Sequence, residues 1–498
     1  MQRDFIPKEI SWLSFNARVL QEANDPTVPL INRIKFLGIY SSNLDEFYEV
    51  RVATLKRLVS LGKKGTKIIG HDPSIVLAEI QKIVLSLHKK YDEIYRNILT
   101  ELEKRNIFFL RENELLPEHM DFVQNYFVTR VRPKIFPVVL HTRTSLLELK
   151  DRSIYLVVKM TKASDRPEQK YAIIEVPTYT LPRFLILPGV RKKQYVMFID
   201  DVIRYGLKQI FATTGYDNFE AYDIKLTRDA ELDIEDDINV SYLSKINKGL
   251  KKRKQGNPVR LGYDESMPNE MLSFILRKLK LKPHDTILPG GRYHNFKDFM
   301  KFPDIINEKH NLYPDPVPSR PLDASVSILE TIQKRDVLLH FPYNSFDYII
   351  DMLREASIDP KVQRIRITLY RVAENSSIVN ALINAVKNGK EVIVLLELQA
   401  RFDEANNIRM ADLLKDEGAT VIFGLPGLKV HSKLLLIERA DSKNRLTNYC
   451  AVATGNFNED TARLYTDFCI LTANQKISDD AFRLFDLFEN TYQMHKFR

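Results

Sequence analysis

The stretch Gly427-Leu-Lys-Val-His431-Ser-Lys433-Leu-Leu-Leu-Ile carries the residue types best suited to chemistry in this chain. An imidazole can attack phosphorus and hold it covalently, and an adjacent ammonium can neutralise the oxygens of the group being moved. Read as a strand, the stretch places Lys429, His431 and Lys433 on one face, with Val430, Leu434 and Leu436 turned towards apolar packing. Neighbours on such a face stand ~6.6 Å apart, within reach of one phosphoryl group. An edge strand whose polar face meets water would use the same residues, so the context decides.

Farther along, Thr454-Gly455-Asn456-Phe457-Asn458 follows the run YCAVAT, where a turn would expose amide donors and the Asn458 side chain. Arg371 lies at the end of RIRITLYRV, and Arg401 just beyond EVIVLLELQA. Ligands of open α/β sheets gather outside the carboxyl ends of strands, and two guanidiniums there can clamp phosphate oxygens in pairs. Arginines that merely cap strand ends are the plainer alternative. The spacing HxK…GNxN resembles the HxK…GSxN pattern of the phospholipase-D superfamily, in which two such motifs meet and one histidine carries the phosphoryl group. Glu438 stands where that pattern has Asp, and Asn456 where it has Ser, which argues against plain phosphodiesterase chemistry.

Three kinds of segment must position these residues. Residues 1–105 read as helical: Leu30, Ile31, Ile34 and Leu37 form a stripe, and Ser74 to Lys104 is a long run without Gly or Pro. From 106 to 312, IFFL, SIYLVVKM, YAIIEV, FLIL and YVMFI are short β-rich runs, predicting a mixed α+β domain around an antiparallel sheet. Inside it, Lys248, Lys251, Lys252, Arg253 and Lys254 read as a solvated loop, and the four prolines from Asn311 to Pro321 as a linker. From 313 to 498 strands alternate with helices: SSIVNALINAVKNG is a helix with Gly389 past its end, and EVIVLLELQ reads as a buried parallel strand. The expected fold is thus multidomain α+β: a helical N-terminal domain, a mixed head domain and a phospholipase-D-like α/β domain.

Composition excludes little else. No apolar run approaches the ~20 residues of a membrane span, and the N-terminus lacks the apolar core of a signal peptide. The two cysteines, Cys450 and Cys469, imply no disulfide framework or metal pattern, and fit a reducing cytoplasm. With 74 Lys+Arg against 65 Asp+Glu, the net charge of +9 fits a polyanion partner.

The runs SWLSFNARVLQEA, SSNLDEFYEVRVA, TRDAELD, TLYRVA, LQARFDE, GLKVHSKLLLI and TGNFNEDTARLYTD resemble the polyphosphate kinase family, in that family's order, from about Phe5 to about Tyr492. The resemblance implies reversible transfer of the terminal phosphoryl group of ATP to inorganic polyphosphate, with His431 as the phosphohistidine and Lys433, Arg371 and Arg401 stabilising charge. It implies a nucleotide contact for Asn43 and adenine stacking for Tyr465, with Asn458 also on the ligand side. Asn43 followed by Glu46 would equally suit a capping box at a helix start, and Tyr465 a buried core position. Mg²⁺ is expected beside Arg371 and Arg401, held mainly by phosphate oxygens and water, since arginine has no lone pair to give. Homo-oligomers, a cytoplasmic setting and peripheral membrane association are also implied, with no specific nucleic acid. The family continues into a further α/β domain with a second catalytic histidine, whereas here His495 has no HxK context. The expectation is therefore a one-sided site and weak catalysis by this chain alone. A superfamily phosphodiesterase and a polyanion-binding fragment are the alternatives.

Overall fold

In the computed structural model the described residues are 5–141, 146, 149–162, 168–231, 242–254, 256–281, 286–306, 315–322, 325–398, 400–425, 428–441, 443, 445–490 and 495–497. Contacts divide the chain into two compact units, Met1–Asp233 with Lys251–Leu312, and Ile234–Leu250 with Tyr313–Arg498.

The first unit opens with helices α1 (Lys8–Asn24), α2 (Leu30–Phe47), α3 (Ala53–Ser60), α4 (Lys63–Ile69) and α5 (Pro73–Lys104). The long run ending at Lys104 is the single 32-residue helix α5, started by Pro73 and by the Asp72 carboxylate, which accepts the Ser74 N–H. The stripe on α2 is buried as its periodicity predicts. Asn43, however, stands inside α2, so the capping box expected with Glu46 does not form. The helix runs on through a π turn at Tyr48–Val52 into α3, because no Gly or Pro interrupts it. The Asn43 amide instead donates to Asn16 Oδ1 at 3.1 Å.

Next come β1 (Ile107–Phe109), α6 (Pro117–Tyr126), β2 (Val138–Leu140), β3 (Ile154–Lys162), β4 (Glu168–Glu175), β5 (Phe184–Val190), β6 (Lys193–Phe198), α7 (Ile199–Tyr205) and α8 (Leu207–Ile210). β7 (Asn218–Arg228), α9 (Tyr242–Lys254, of which the residues up to Leu250 group with the second unit), β8 (Pro258–Asp264), α10 (Asn269–Lys278) and β9 (Thr286–Gly290) complete the series. A six-stranded sheet has the order β2-β4-β3-β7-β8-β9, and a small one β1-β6-β5. The pairing is antiparallel as expected, except that β8 with β9 and β1 with β6 run parallel. The basic stretch is not a loop: Lys248 and Arg253 lie on α9, a run free of Pro in which Lys and Arg are good helix formers. The side chains of Lys251, Lys252 and Lys254 lie outside the described residues.

In the second unit α11 (Ile328–Lys334), β10 (Val337–Phe341), α12 (Asp347–Ile358), β11 (Val362–Leu369), α13 (Ser377–Lys387), β12 (Glu391–Leu396), α14 (Glu404–Asp416) and β13 (Thr420–Phe423) lead to β14 (Leu434–Ala440), β15 (Leu446–Ala453), β16 (Asp467–Thr472) and α15 (Gln475–Glu489). Their seven-stranded sheet has the order β10-β16-β15-β14-β11-β12-β13. β12 lies between β11 and β13, parallel to both, which is why its run is apolar and buried after Glu391. Ser376 caps α13, and Gly389, at φ 76°, ends it. The described part of the expected linker is pinned: Val317 N–H donates to the Tyr343 carbonyl at 2.7 Å and Ser319 N–H to the Tyr348 hydroxyl at 2.8 Å. Residues 311–314 of that segment lie outside the described residues. No described helix is long and apolar enough to cross a membrane.

A buried ion cluster ties α2 to the six-stranded sheet. Lys225 Nζ and Arg260 Nη2 each reach the Asp45 carboxylate at 2.5 Å, and Lys225 Nζ also donates to Asn295 Oδ1 at 2.6 Å. Burial works against the Asp45 carboxylate, but Lys225 and Arg260 outweigh it and hold its carboxyl below the usual range. Removing one member of such a cluster leaves buried charge uncompensated. Asp45→Asn is expected to lower the stability of the first unit by about 3 kcal/mol, seen as an earlier unfolding transition in denaturant; an unshifted transition would contradict this role.

Candidate active site

The sheet of the second unit brings ends of β11, β12, β14, β15 and β16 to one edge. β14 runs antiparallel to β11, with Leu435 opposite Ile367, so the segment entering β14 meets the residues leaving β11. β15 returns parallel to β11 and ends at Ala453, while β16, antiparallel to β15, begins at Asp467. Arg371, Arg401, His431, Lys433, Asn458 and Tyr465 all lie on segments leaving or entering that edge, where ligands of open α/β sheets bind.

His431 and Lys433 are not on the strand, which starts only at Leu434. Beyond Leu369 β11 ends, and side chains replace the ladder. The Thr368 hydroxyl donates to the Ser432 carbonyl at 2.8 Å and accepts the Leu434 N–H at 2.9 Å, and Glu397 Oε2 accepts the Val430 N–H at 3.1 Å. The alternation expected for a strand therefore does not set the two side chains. His431 is exposed, whereas Lys433 is buried and turns back, its Nζ donating to the His431 carbonyl at 2.5 Å.

Tyr370 organises this cluster. Its ring meets the His431 imidazole edge-on, with centroids 5.0 Å apart and planes at 80°. Lys429 Nζ and Lys433 Nζ stand 5.3 and 5.4 Å from the centre of that ring. Partial burial, then the charges of Lys433 and Lys429, push the His431 pKa below its ordinary value, so the imidazole is neutral at pH 7 with a lone pair to offer. Burial likewise lowers the pKa of Lys433, opposed by the Asp467 carboxylate. Asp467 also accepts the Thr454 hydroxyl at 2.7 Å. Gly455 is required beside it, since a Cβ there would come within 2.2 Å of Asp467 Oδ2.

The arginines differ in tethering. Arg371 Nη1 pairs with Asp403 at 3.0 Å and Nη2 donates to the Arg401 carbonyl at 3.4 Å, while Arg401 is exposed. Asn458 is buried, and its side chain is engaged at both ends. Its amide donates to the Arg371 carbonyl at 3.3 Å, and its Oδ1 accepts the N–H groups of Asp460 and Thr461, each at 3.0 Å. It thus ties the TGNFN turn to the end of β11. Tyr465, in the turn before β16, is 63% exposed, so the alternative of a core tyrosine is set aside. Asn43 belongs to the first unit. Glu438 lies away from this edge, buried on β14 against Arg366 at 3.3 Å. His495 pairs with Asp486 at 2.7 Å.

Sequence reasoning passed over Thr368, Tyr370, Glu397 and Asp467. The TLYRV run held a signal for the first two, because alternate positions at a strand's end point to the same rim. Among the described residues no group of three or more His, Cys, Asp or Glu could hold a metal. Two buried polar atoms at the edge, Ser432 Oγ and Asn456 Oδ1, have no hydrogen-bond partner.

Three family models match the chain: the polyphosphate kinase N-terminal domain over residues 5–110, the middle domain over 118–302 and C-terminal domain 1 over 327–494. Polyphosphate kinase of Vibrio cholerae serotype O1 is 43% identical over 501 residues, covering 99% of this chain and 70% of the relative. That of Escherichia coli K12 is 42% identical, covering 98% and 71%. The crystal structure of polyphosphate kinase from Porphyromonas gingivalis is similar at TM-score 0.79 and 34% identity, covering all of this chain and 71% of that one. With likeness of this extent, and a phosphate-suited sheet edge in the second unit, the chain belongs to the polyphosphate kinase family, the ATP:polyphosphate phosphotransferases.

Proposed function

We propose that His431 is the phosphoryl carrier of this kinase. The observation that carries the reading is the His431 imidazole, held edge-on to Tyr370 and flanked by Lys429 and Lys433 at the rim of the sheet. A ring nitrogen of His431 attacks the γ-phosphorus of ATP, a nitrogen–phosphorus bond forms, and the bond to the β–γ bridging oxygen breaks, releasing ADP. A terminal oxygen of polyphosphate then attacks the same phosphorus, the nitrogen–phosphorus bond breaks, and the chain leaves longer by one phosphate. The reverse sequence makes ATP.

Charge on the equatorial oxygens is what such a site must stabilise. Lys433 has donors left beyond its bond to the His431 carbonyl, and Arg371, fixed by Asp403, presents a guanidinium from the end of β11. Arg401 adds a second from beyond β12. Asn458 acts through Arg371, as a positioning residue. The unpartnered Ser432 Oγ and Asn456 Oδ1 fit an edge completed by a ligand. Among the described residues no His, Cys, Asp or Glu cluster would cage a metal, and Mg²⁺ would be held by phosphate oxygens of the nucleotide and water, where it would neutralise phosphate charge. Tyr465 stacks on the adenine.

Label from γ-labelled ATP should enter the protein as an acid-labile, alkali-stable phosphoramidate and vanish in His431→Ala; label that persists in that variant would sink the assignment. The pH dependence follows from the neutral imidazole. Its pKa lies below the ordinary imidazole value, so on acidification the labelling rate should fall off at a lower pH than a free imidazole would give. Lys429→Met removes one of the depressing charges and should move the acid limb upwards; rapid-quench labelling across pH checks both. An aromatic stack is worth about 0.5–1.5 kcal/mol, so Tyr465→Ala should raise KM for ATP roughly three- to ten-fold, with Tyr465→Phe mild. Loss of kcat at saturating ATP in Tyr465→Ala would contradict stacking.

A further inference from the structure

The first unit contains a cavity of about 90 Å³ between α2, α5 and the β8–β9 end of the six-stranded sheet. A single water needs only ~10–15 Å³ of such space, so there is room for several waters or for one tetrahedral ion in their place. Tyr40, Tyr91, Lys225, Arg260 and His294 are among the residues that line it. We propose that this cavity binds a small tetrahedral oxyanion of the orthophosphate class, either free or as the end of a polyphosphate chain.

The first argument is the unused hydrogen-bonding capacity. Tyr40 Oη, Tyr91 Oη and His294 Nε2 are buried without any partner, although Tyr40 and Tyr91 are only 2% and 6% exposed. Buried polar atoms in native proteins are nearly always paired, and three orphans around one cavity point to something that fills it. Lys225 Nζ has two acceptors, Asp45 and Asn295, for its three hydrogens. The bonds of Arg260 to Asp45 and Thr227 run through Nε and Nη2, leaving Nη1 to donate elsewhere. An ammonium, a guanidinium and two phenols are a donor set for phosphate oxygens. An orthophosphate ion that keeps a P–OH can in turn donate to His294 Nε2.

The second argument is the sign of the field. Burial and the charge of Arg260 lower the His88 pKa to about 4. Burial, Lys225, His88 and Arg260 lower that of His294 to about 3. Both imidazoles are therefore neutral, with burial as the larger cause and the cations acting the same way. Of the two carboxylates that line the cavity, Asp45 is already bound to Lys225 and Arg260, and burial pushes the Asp92 carboxyl towards its neutral form, so neither bars an anion. The glycines of β8 and β9 set the ring of His294: a Cβ on Gly290 would come within 2.9 Å of its Cε1, and one on Gly262 within 3.3 Å of its Nδ1. The imidazole thus lies against two backbones without side chains, and the cavity wall is held in shape.

The cavity lies wholly in the first unit and does not depend on the role of His431. Calorimetric titration of the whole 498-residue chain with orthophosphate, and separately with tripolyphosphate, tests it. The variants are Tyr40→Phe with Tyr91→Phe, which remove only unpartnered hydroxyls, and Arg371→Ala, which disarms the sheet edge of the second unit. One phosphate site should weaken about ten-fold or more in the double Phe variant and keep its affinity in Arg371→Ala. If orthophosphate shows this behaviour, the ligand is the free ion; if only tripolyphosphate does, it is a chain end. Absence of binding, affinity unchanged in the double Phe variant, or a site lost only in Arg371→Ala would overturn the proposal and leave the cavity to water.

Discussion

Strand β14 runs against β11 while β12 and β13 run with it, and the chemistry of the second unit depends on that reversal. Had β14 joined the sheet in parallel, its amino end would lie at the opposite rim, and His431 would stand a strand's length from Tyr370 and Arg371. Because it is antiparallel, the last residues of β11 and the residues just before β14 share one rim. Thr368 then closes the join: its single hydroxyl serves the Ser432 carbonyl and the Leu434 amide at once. A side chain without a hydroxyl there would leave a buried N–H and a carbonyl unpaired next to His431. The sheet thus supplies direction, and one threonine supplies position.

The rim also separates charges that must stay from charges that must be free to meet a substrate. Lys433 is buried and its pKa is lowered by desolvation, yet the Asp467 carboxylate opposes that shift and favours the cation. Gly455 makes room for Asp467, so the backbone of the TGNFN turn bears on the charge of Lys433 through a carboxylate. Arg371 is restrained by Asp403, whereas Arg401 is exposed. Under the proposed transfer, a fixed and an exposed guanidinium on neighbouring strand ends would suit a phosphoryl group that changes partners, one holding position and the other following the moving oxygens.

Much of this was legible in the sequence. Periodicity located α2, α5, α13 and β12, since each buries one face or both against a sheet or bundle, and the Ser376 and Gly389 stops were local chemistry. Ordered motifs identified the family and the candidate residues. What failed was alternation in LKVHSK, because a strand was assumed where side chains of Thr368 and Glu397, distant in sequence, take over the backbone hydrogen bonds. The Asn43 capping box failed for a related reason: its residue types fit, but nothing local breaks α2 at that point. Asn458 was read towards the ligand, and its amide turned out to be occupied by the Arg371 carbonyl, a contact 87 positions away that no local pattern encodes.

Tyrosine does different work in the two units, and burial is the reason. Tyr370 lies at a rim, where its ring can stand beside two ammonium groups and an imidazole, and its value there is the negative face of the ring. Tyr40 and Tyr91 are enclosed, and their hydroxyls are the polar ends of otherwise apolar anchors in the helical core. At a rim, water is available to any phenol without a protein partner. Enclosed, an unpaired hydroxyl has only the cavity to turn to, and the nearest cations, Lys225 and Arg260, are already bound to Asp45. The carboxylate keeps those two cations tolerable inside the protein but does not exhaust their donors. A folded core that keeps unspent donors around one hollow is suited to receive an anion, and the Asp45 cluster achieves that without leaving two bare positive charges in the apolar interior.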